Sequence, residues 1–142
     1  MSENNGKKKM AIIVSKNTMD MAYPPFILGV TGASMDMDVG IFFTFWGLNL
    51  LKKKGGADSA KLGGLMRIGT GMMKGRMKKA GAKELPEMIS DAKDLGAKLY
   101  ACQMTMDVMK IARKDLIDEV DDVLGAAAFL NFAKDADITL FI

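Results

Sequence analysis

The sequence predicts an α/β protein of flavodoxin-like class, a three-layer α/β/α arrangement around a mostly parallel sheet of about five strands. Three observations carry that expectation. Residues 10–15, 38–45, 98–102 and 138–142 are short apolar runs without strict polar alternation, as strands covered on both faces are. Helical patterns separate them, so each strand can return parallel to the last through a right-handed crossover. A length of 142 residues, 49% hydrophobic and 26% charged, bounds one compact core and is too short for two ordinary ones.

The elements follow in order. Residues 1–9 are polar and lysine-rich, and are expected to form a disordered tail ahead of a single domain spanning 10–142. After the first strand, Asn17 or Thr18 can cap a helix to about Ser34, with Ala22, Phe26, Ile27 and Val30 at helical spacing. Pro24 and Pro25 place either the start of that helix or a kink at their position. Residues 38–45, DVGIFFTF, form the most apolar strand, and Trp46-Gly47 ends it before a helical turn over 48–53. Residues 55–81 are crowded with glycine, lysine and methionine, contain no good strand and read as an insertion. Leu65, Ile68, Met72, Met73 and Met77 recur at spacings near three and four, an apolar face wherever the insertion is helical, although its glycines weaken such a helix. A helix over 84–97, acidic at its start, leads into the strand 98–102. A short helix over 104–111, a short strand or extended segment over 116–120, a helix over 123–134 and a strand over 138–142 complete the chain. The economical strand order for this class is 2-1-3-4-5.

Composition removes whole classes of chemistry. The chain has no histidine, which excludes a Ser-His-Asp triad, a Cys-His pair and histidine-ligated zinc or haem. Its one cysteine, Cys102, can close no intrachain disulfide and build no four-cysteine metal site, and fits a reducing, cytoplasmic compartment. The net charge of +3 is mild, and the lysine clusters at 7–9, 52–54 and 74–79 lack interleaved aromatics, so no nucleic-acid partner is expected. The longest uncharged apolar run, 39–51, is well short of the roughly 20 residues a membrane-spanning helix needs. Gly69-Thr-Gly71-Met-Met-Lys-Gly75 is one residue longer than a dinucleotide loop and follows no strand. The acidic cluster Asp118, Glu119, Asp121 and Asp122 lacks the alternation and glycine of a calcium loop. A phospho-acceptor receiver needs acidic residues where this chain has Ser15-Lys16 and Cys102. No metal and no cofactor is implied.

What remains is the thiol. In parallel sheets, reactive groups collect beyond the carboxyl ends of the strands, near the point where strand order reverses, and Cys102 falls at that end of the third strand. If residues 103–105 open a helix, its free N–H groups and positive end stabilise a thiolate. The plainer reading of Leu-Tyr-Ala-Cys is a small buried hydrophobe. Methionines flank the thiol at 104, 106 and 109 and recur through the insertion, either as adaptable core or as a soft rim around a reactive sulfur.

FTFWGLNLL at 43–51, KLYACQMTMDVM at 98–109 and TLFI at 139–142 together resemble the DsrE/DsrF-like family, especially its DsrE2-like branch. The cysteine segment is the most specific part, and the likeness runs from the first strand to the last residue. The resemblance implies a flavodoxin-like subunit that assembles into homo- or hetero-oligomers and takes part in sulfur trafficking. It further implies a cysteine that accepts sulfane sulfur as a persulfide and passes it to a TusA-like carrier, with a rhodanese-like donor upstream. Cys102 is the matching position. Around it, Thr105 and neighbouring amides are the candidates to stabilise the sulfur anion, Trp46, Gly47 and Lys16 to border the pocket, and Met104, Met106 and Met72 to form its apolar rim. Asp107 reads as a helix-start residue. The leading reading is a sulfur carrier or sulfurtransferase that works as a homo-oligomer. The alternative is a noncatalytic oligomeric binding or scaffold subunit with a structural cysteine; a small-ligand or nucleotide pocket has the fold and no motif.

Overall fold

The computed structural model describes residues 6–142. Its elements are β1 (Lys9–Val14), α1 (Met19–Ser34), β2 (Asp38–Phe43), α2 (Thr70–Lys79), α3 (Leu85–Asp94), β3 (Lys98–Cys102), α4 (Gln103–Met109), β4 (Asp122–Leu124), α5 (Ala126–Ala133) and β5 (Ile138–Phe141). Single 3-10 segments cover Phe45–Leu51, Ala57–Ser59 and Gly64–Gly69. The five strands form one parallel sheet in the order β4-β3-β2-β1-β5.

That order corrects the expected 2-1-3-4-5. In the expected arrangement the chain reverses after β2 and lays β3 beside β1. Here β3 pairs with β2, register Phe43 with Ala101, and β5 takes the free side of β1, register Met10 with Ile138. Right-handed crossovers that step in one direction all fall on one face. Accordingly α1, α3 and the buried Met106 of α4 share a core with Ile12, Val14, Ile41, Phe43 and Leu99. The single reversal, from β4 back to β5, carries α5 to the opposite face, where Phe129 packs with Ala11, Phe42 and Cys102. Successive residues of each central strand therefore serve different cores, which is why the strands read as unbroken apolar runs.

Local chemistry sets the boundaries. The expected tail over 1–9 lies outside the described residues for 1–5, and Lys9 opens β1, 1% exposed. Its ammonium donates to the Phe132 carbonyl (3.0 Å), meets the Asp135 carboxylate (2.6 Å) and lies 4.8 Å from the centre of the Phe132 ring, so the C-terminal turn of α5 holds a buried cation. α1 starts at Met19 with Thr18 at its N-cap, and the two prolines sit in its second turn rather than at its start. β2 ends at Phe43, two residues early, because Thr44 leaves the sheet and Phe45 takes a left-handed backbone, φ 47°. The segment 116–120 is not a strand: Leu116 makes one antiparallel bridge to Lys52, and the strand is Asp122–Leu124. Asp121 docks that strand by accepting from the Leu99 N–H through its carboxylate (2.8 Å). The expected helix over 123–134 begins only at Ala126, since Gly125 interrupts it. In the insertion, only 70–79 is α-helix, and Leu65, Ile68 and Met72 are exposed rather than packed.

Candidate functional site

Two strand ends build the surroundings of the thiol. Along β3, Leu99 and Ala101 point to the α1/α3 side, and Tyr100 and Cys102 to the α5 side. Cys102 is 7% exposed, beside Phe42 and Phe129, whose rings stack at 4.6 Å. It is also the N-cap residue of α4, so the N–H groups of the first turn have no helical acceptor, although the sulfur makes no capping hydrogen bond to them. Because Phe43 pairs with Ala101, the next residue of β2, Thr44, comes level with Cys102. Thr105, 1% exposed, accepts from the Phe45 N–H (2.9 Å), and its hydroxyl lies 3.1 Å from that of Thr44.

The electrostatic result favours the anion. Burial pushes the Cys102 thiol up, but the polar influence of Thr105, Thr44 and the Met104 N–H around the sulfur outweighs it and brings the thiol below its ordinary value. The Phe45 N–H donates to the Thr105 hydroxyl oxygen and ties that side chain to the β2 end. These groups come from both the β2 end and the α4 start, and neither segment supplies them alone.

The rest of the pocket border is uneven. Gly47 is required by space: a Cβ there would stand 2.2 Å from the Val14 carbonyl oxygen, so the 3-10 segment can lie on the end of β1 only without a side chain. Phe45 and Trp46 project into solvent, 51% and 57% exposed. Met104 is exposed beside the thiol in sequence, but Met106 turns to the opposite core and is no rim residue. Met72, in α2, is exposed, and Lys16 is exposed in the loop after β1. Asp107 lies inside α4 and its carboxylate accepts from the Gln103 side-chain amide (3.0 Å). Sequence reading missed Thr44 and the Phe45 amide. A hydroxyl residue at the carboxyl end of a strand was visible in FTFWG, but the expected strand order separated β2 from β3 and hid the pairing that brings it to Cys102.

Cavities lie elsewhere. One of about 380 Å³ opens between α1, α2 and α3, lined by Tyr23, Lys74, Met77, Lys78, Glu84 and Glu87. Among the described residues, no group of three or more acidic or thiol side chains is placed to hold a metal ion, and no helix is long and apolar enough to cross a membrane.

A parallel α/β sheet carrying one sheltered, donor-surrounded thiol at a strand end defines a class of single-cysteine thiol proteins. Residues 6–64 and 59–141 match the DsrE/DsrF/DrsH-like family, and the chain belongs to it. It is 38% identical to the protein named sulfur carrier protein DsrE2 of Allochromatium vinosum, covering 96% of this chain and 99% of that one. It is 35% identical to an uncharacterized protein, YrkE, of Bacillus subtilis, covering 95% and 97%. Among solved structures, the ychN protein of E. coli matches with a TM-score of 0.66 at 12% identity over 96% of this chain and 99% of that one. MTH1491 of Methanobacterium thermoautotrophicum, of unknown function, matches with a TM-score of 0.60 at 11% identity over 96% and 100%. These two support the fold alone.

Proposed function

We propose that this protein is a sulfur carrier that holds sulfane sulfur on Cys102 and hands it to a partner thiol. The observation that carries the reading is a buried cysteine at a strand end, set beside the Thr44–Thr105 hydroxyl pair and the start of α4, surroundings that favour its thiolate. A structural cysteine gains nothing from surroundings that favour its anion, whereas a nucleophile does. The 38% identical relative named as a sulfur carrier supports the same reading.

The chemistry is two balanced exchanges. The Cys102 thiolate attacks the outer sulfur of a donor persulfide, R–S–S–H; the S–S bond breaks, R–S⁻ leaves, and Cys102–S–S–H forms. An acceptor thiolate then attacks that outer sulfur, takes it with its proton and releases the Cys102 thiolate. No electron is gained or lost overall. The threonine hydroxyls and amides stabilise the thiolate before the first step and as leaving group in the second. Phe42 and Phe129 keep water from the bound sulfur. With one cysteine, the chain has no internal thiol to resolve the persulfide, so the sulfur leaves to another protein. A rhodanese-like donor and a TusA-like acceptor fit these roles, in the reducing conditions of the cytoplasm that keep a free thiol usable.

Assembly of several copies fits the surface. Leu130, Ile138 and Phe141 stand 62%, 40% and 72% exposed on α5 and the edge strand β5, apolar area of the kind that a subunit contact covers.

The deciding experiment is intact-protein mass spectrometry after exposure to glutathione persulfide. Wild type is expected to gain one sulfur atom and lose it to an added thiol acceptor, while Cys102→Ser gains none. An unmodified wild-type Cys102 overturns the carrier and leaves the oligomeric scaffold reading, which its burial favours.

A further inference from the structure

A basic groove of about 440 Å³ lies between the 52–54 segment and residues 109–115. Lys52, Lys53, Lys54, Lys110 and Lys114 line it, with Asp115 as its only acidic group. The Asp115 carboxylate is already engaged by the Ala112 N–H (2.9 Å), and among the described residues none of the five lysines forms a side-chain hydrogen bond or ion pair. Unpaired like charges gathered in a concavity repel one another, and an anionic partner relieves that repulsion.

The groove is joined to the thiol by the two segments that build the thiol's donor set. Thr44 and Phe45 lead into the 3-10 segment Phe45–Leu51, which delivers Lys52–Lys54. Cys102 caps α4, whose far end delivers Met109 and Lys110, the latter in a left-handed backbone that turns the chain into the groove. Seven residues rise about 14 Å as 3-10 helix and about 10 Å as α-helix. A protein contact of about 800 Å² per partner spans roughly 30 Å. The footprint of one docked protein is long enough to span from the groove to the α4 start that carries the thiol.

We propose that this groove receives an acidic segment of the protein that takes sulfur from Cys102, and that the charge contact steers the acceptor thiol toward the sulfur. The proposal rests on the carrier reading above and names the chemistry of its acceptor. A protein fits better than a nucleic acid, since no aromatic side chain lines the groove for a base to stack on, and the adjoining chemistry needs a thiol.

The test uses the full chain and two fluorescein-labelled, cysteine-free peptides of equal length, one rich in glutamate and one with glutamine at the same positions. Binding is measured by anisotropy for wild type, for Lys53→Glu/Lys110→Glu, and for Lys61→Glu/Lys79→Glu, which changes net charge equally at a distance. All four lysines are exposed, and circular dichroism verifies the fold of each variant. The glutamate peptide is expected to bind wild type, to weaken with added salt, to bind the groove variant at least tenfold more weakly, and to bind the distal variant within about twofold of wild type. Equal losses in both variants overturn the proposal. So does glutamine-peptide binding as tight as glutamate-peptide binding, or tighter binding of inorganic pyrophosphate or a single-stranded oligonucleotide at the groove. Sulfur loading from glutathione persulfide, measured on the same samples, is expected to match in all three proteins. Failure of wild type to load overturns the carrier reading, while peptide binding still decides the groove.

Discussion

Thr105 serves two neighbours with one hydroxyl: it accepts from the Phe45 N–H and is among the groups that lower the Cys102 thiol. Thr105→Val keeps the shape and removes both. The thiol then loses a donor that held its pKa down, so its alkylation profile with iodoacetamide moves to higher pH, and the rate at pH 7 falls by roughly three- to tenfold. The same variant leaves the Phe45 N–H buried without an acceptor and costs about 1–3 kcal/mol in urea unfolding. Thr105→Ser restores the pH profile, which a purely steric role for the threonine does not predict. Thr44→Val is expected to shift the profile in the same direction while leaving the Phe45 bond in place. Cys102 and Thr105 were legible in the sequence because both belong to one local unit, a strand end running into a helix. Thr44 was not, because its closeness to Cys102 is set by which strand lies beside β3. Met106 was misplaced for a related reason: sequence distance from a thiol does not say which side of the sheet a helical residue faces.

α5 covers its side of the sheet alone, and two contacts fix it. Phe132 lies over Gly40 of β2, where a Cβ would come within 2.6 Å of the ring. Gly40→Ala therefore displaces α5, costs about 1–3 kcal/mol by chemical denaturation, and speeds alkylation of Cys102 as Phe129 moves off it. The second contact is Lys9 with Asp135. The Lys9 hydrogen bond holds the Asp135 carboxyl below the usual carboxylate range. A folded value below the unfolded one gives stability that is present above about pH 4, the ordinary aspartate value, and lost as pH falls through the folded value. Asp135→Asn is expected to lower the urea midpoint at pH 7 and to match wild type once both are measured below that folded value. Among elements, β3 was legible to the residue, and α1 was marked by Thr18. The β4 strand was not, because the pairing that makes Asp122–Leu124 a strand comes from Tyr100–Cys102 and the Asp121 anchor rather than from its own three residues.

At the scale of the molecule, the fold class followed from apolar runs alternating with helices, and the strand order did not. Both 2-1-3-4-5 and the observed 4-3-2-1-5 satisfy the same local patterns and the same crossover hand; long-range docking of Lys9 to the α5 end and of β5 to β1 distinguishes them. The order leaves an apolar edge at β5, which motivates an assembly test. Sedimentation velocity is expected to show a multimer for wild type and a shift toward monomer for Phe141→Ser, with Leu65→Ser on the insertion as the comparison. Hydrogen exchange is expected to be slow in β1–β3 and fast through 63–83, where α2 rests on few buried side chains.

The placement of β5 also sets a timetable. β1 through β4 can pair in the order in which they occur along the chain, each step closing a modest loop. The Lys9–Asp137 contact that locks β5 joins positions 128 residues apart and bears a closure entropy larger than that of any step between β1 and β4. The topology predicts that β5 docks last, with β1 keeping an open edge and α5 undocked until it does. Until then the Cys102 sulfur is uncovered, so a refolding chain is most vulnerable to oxidants just before its last strand arrives, and thiol trapping during refolding would time that arrival.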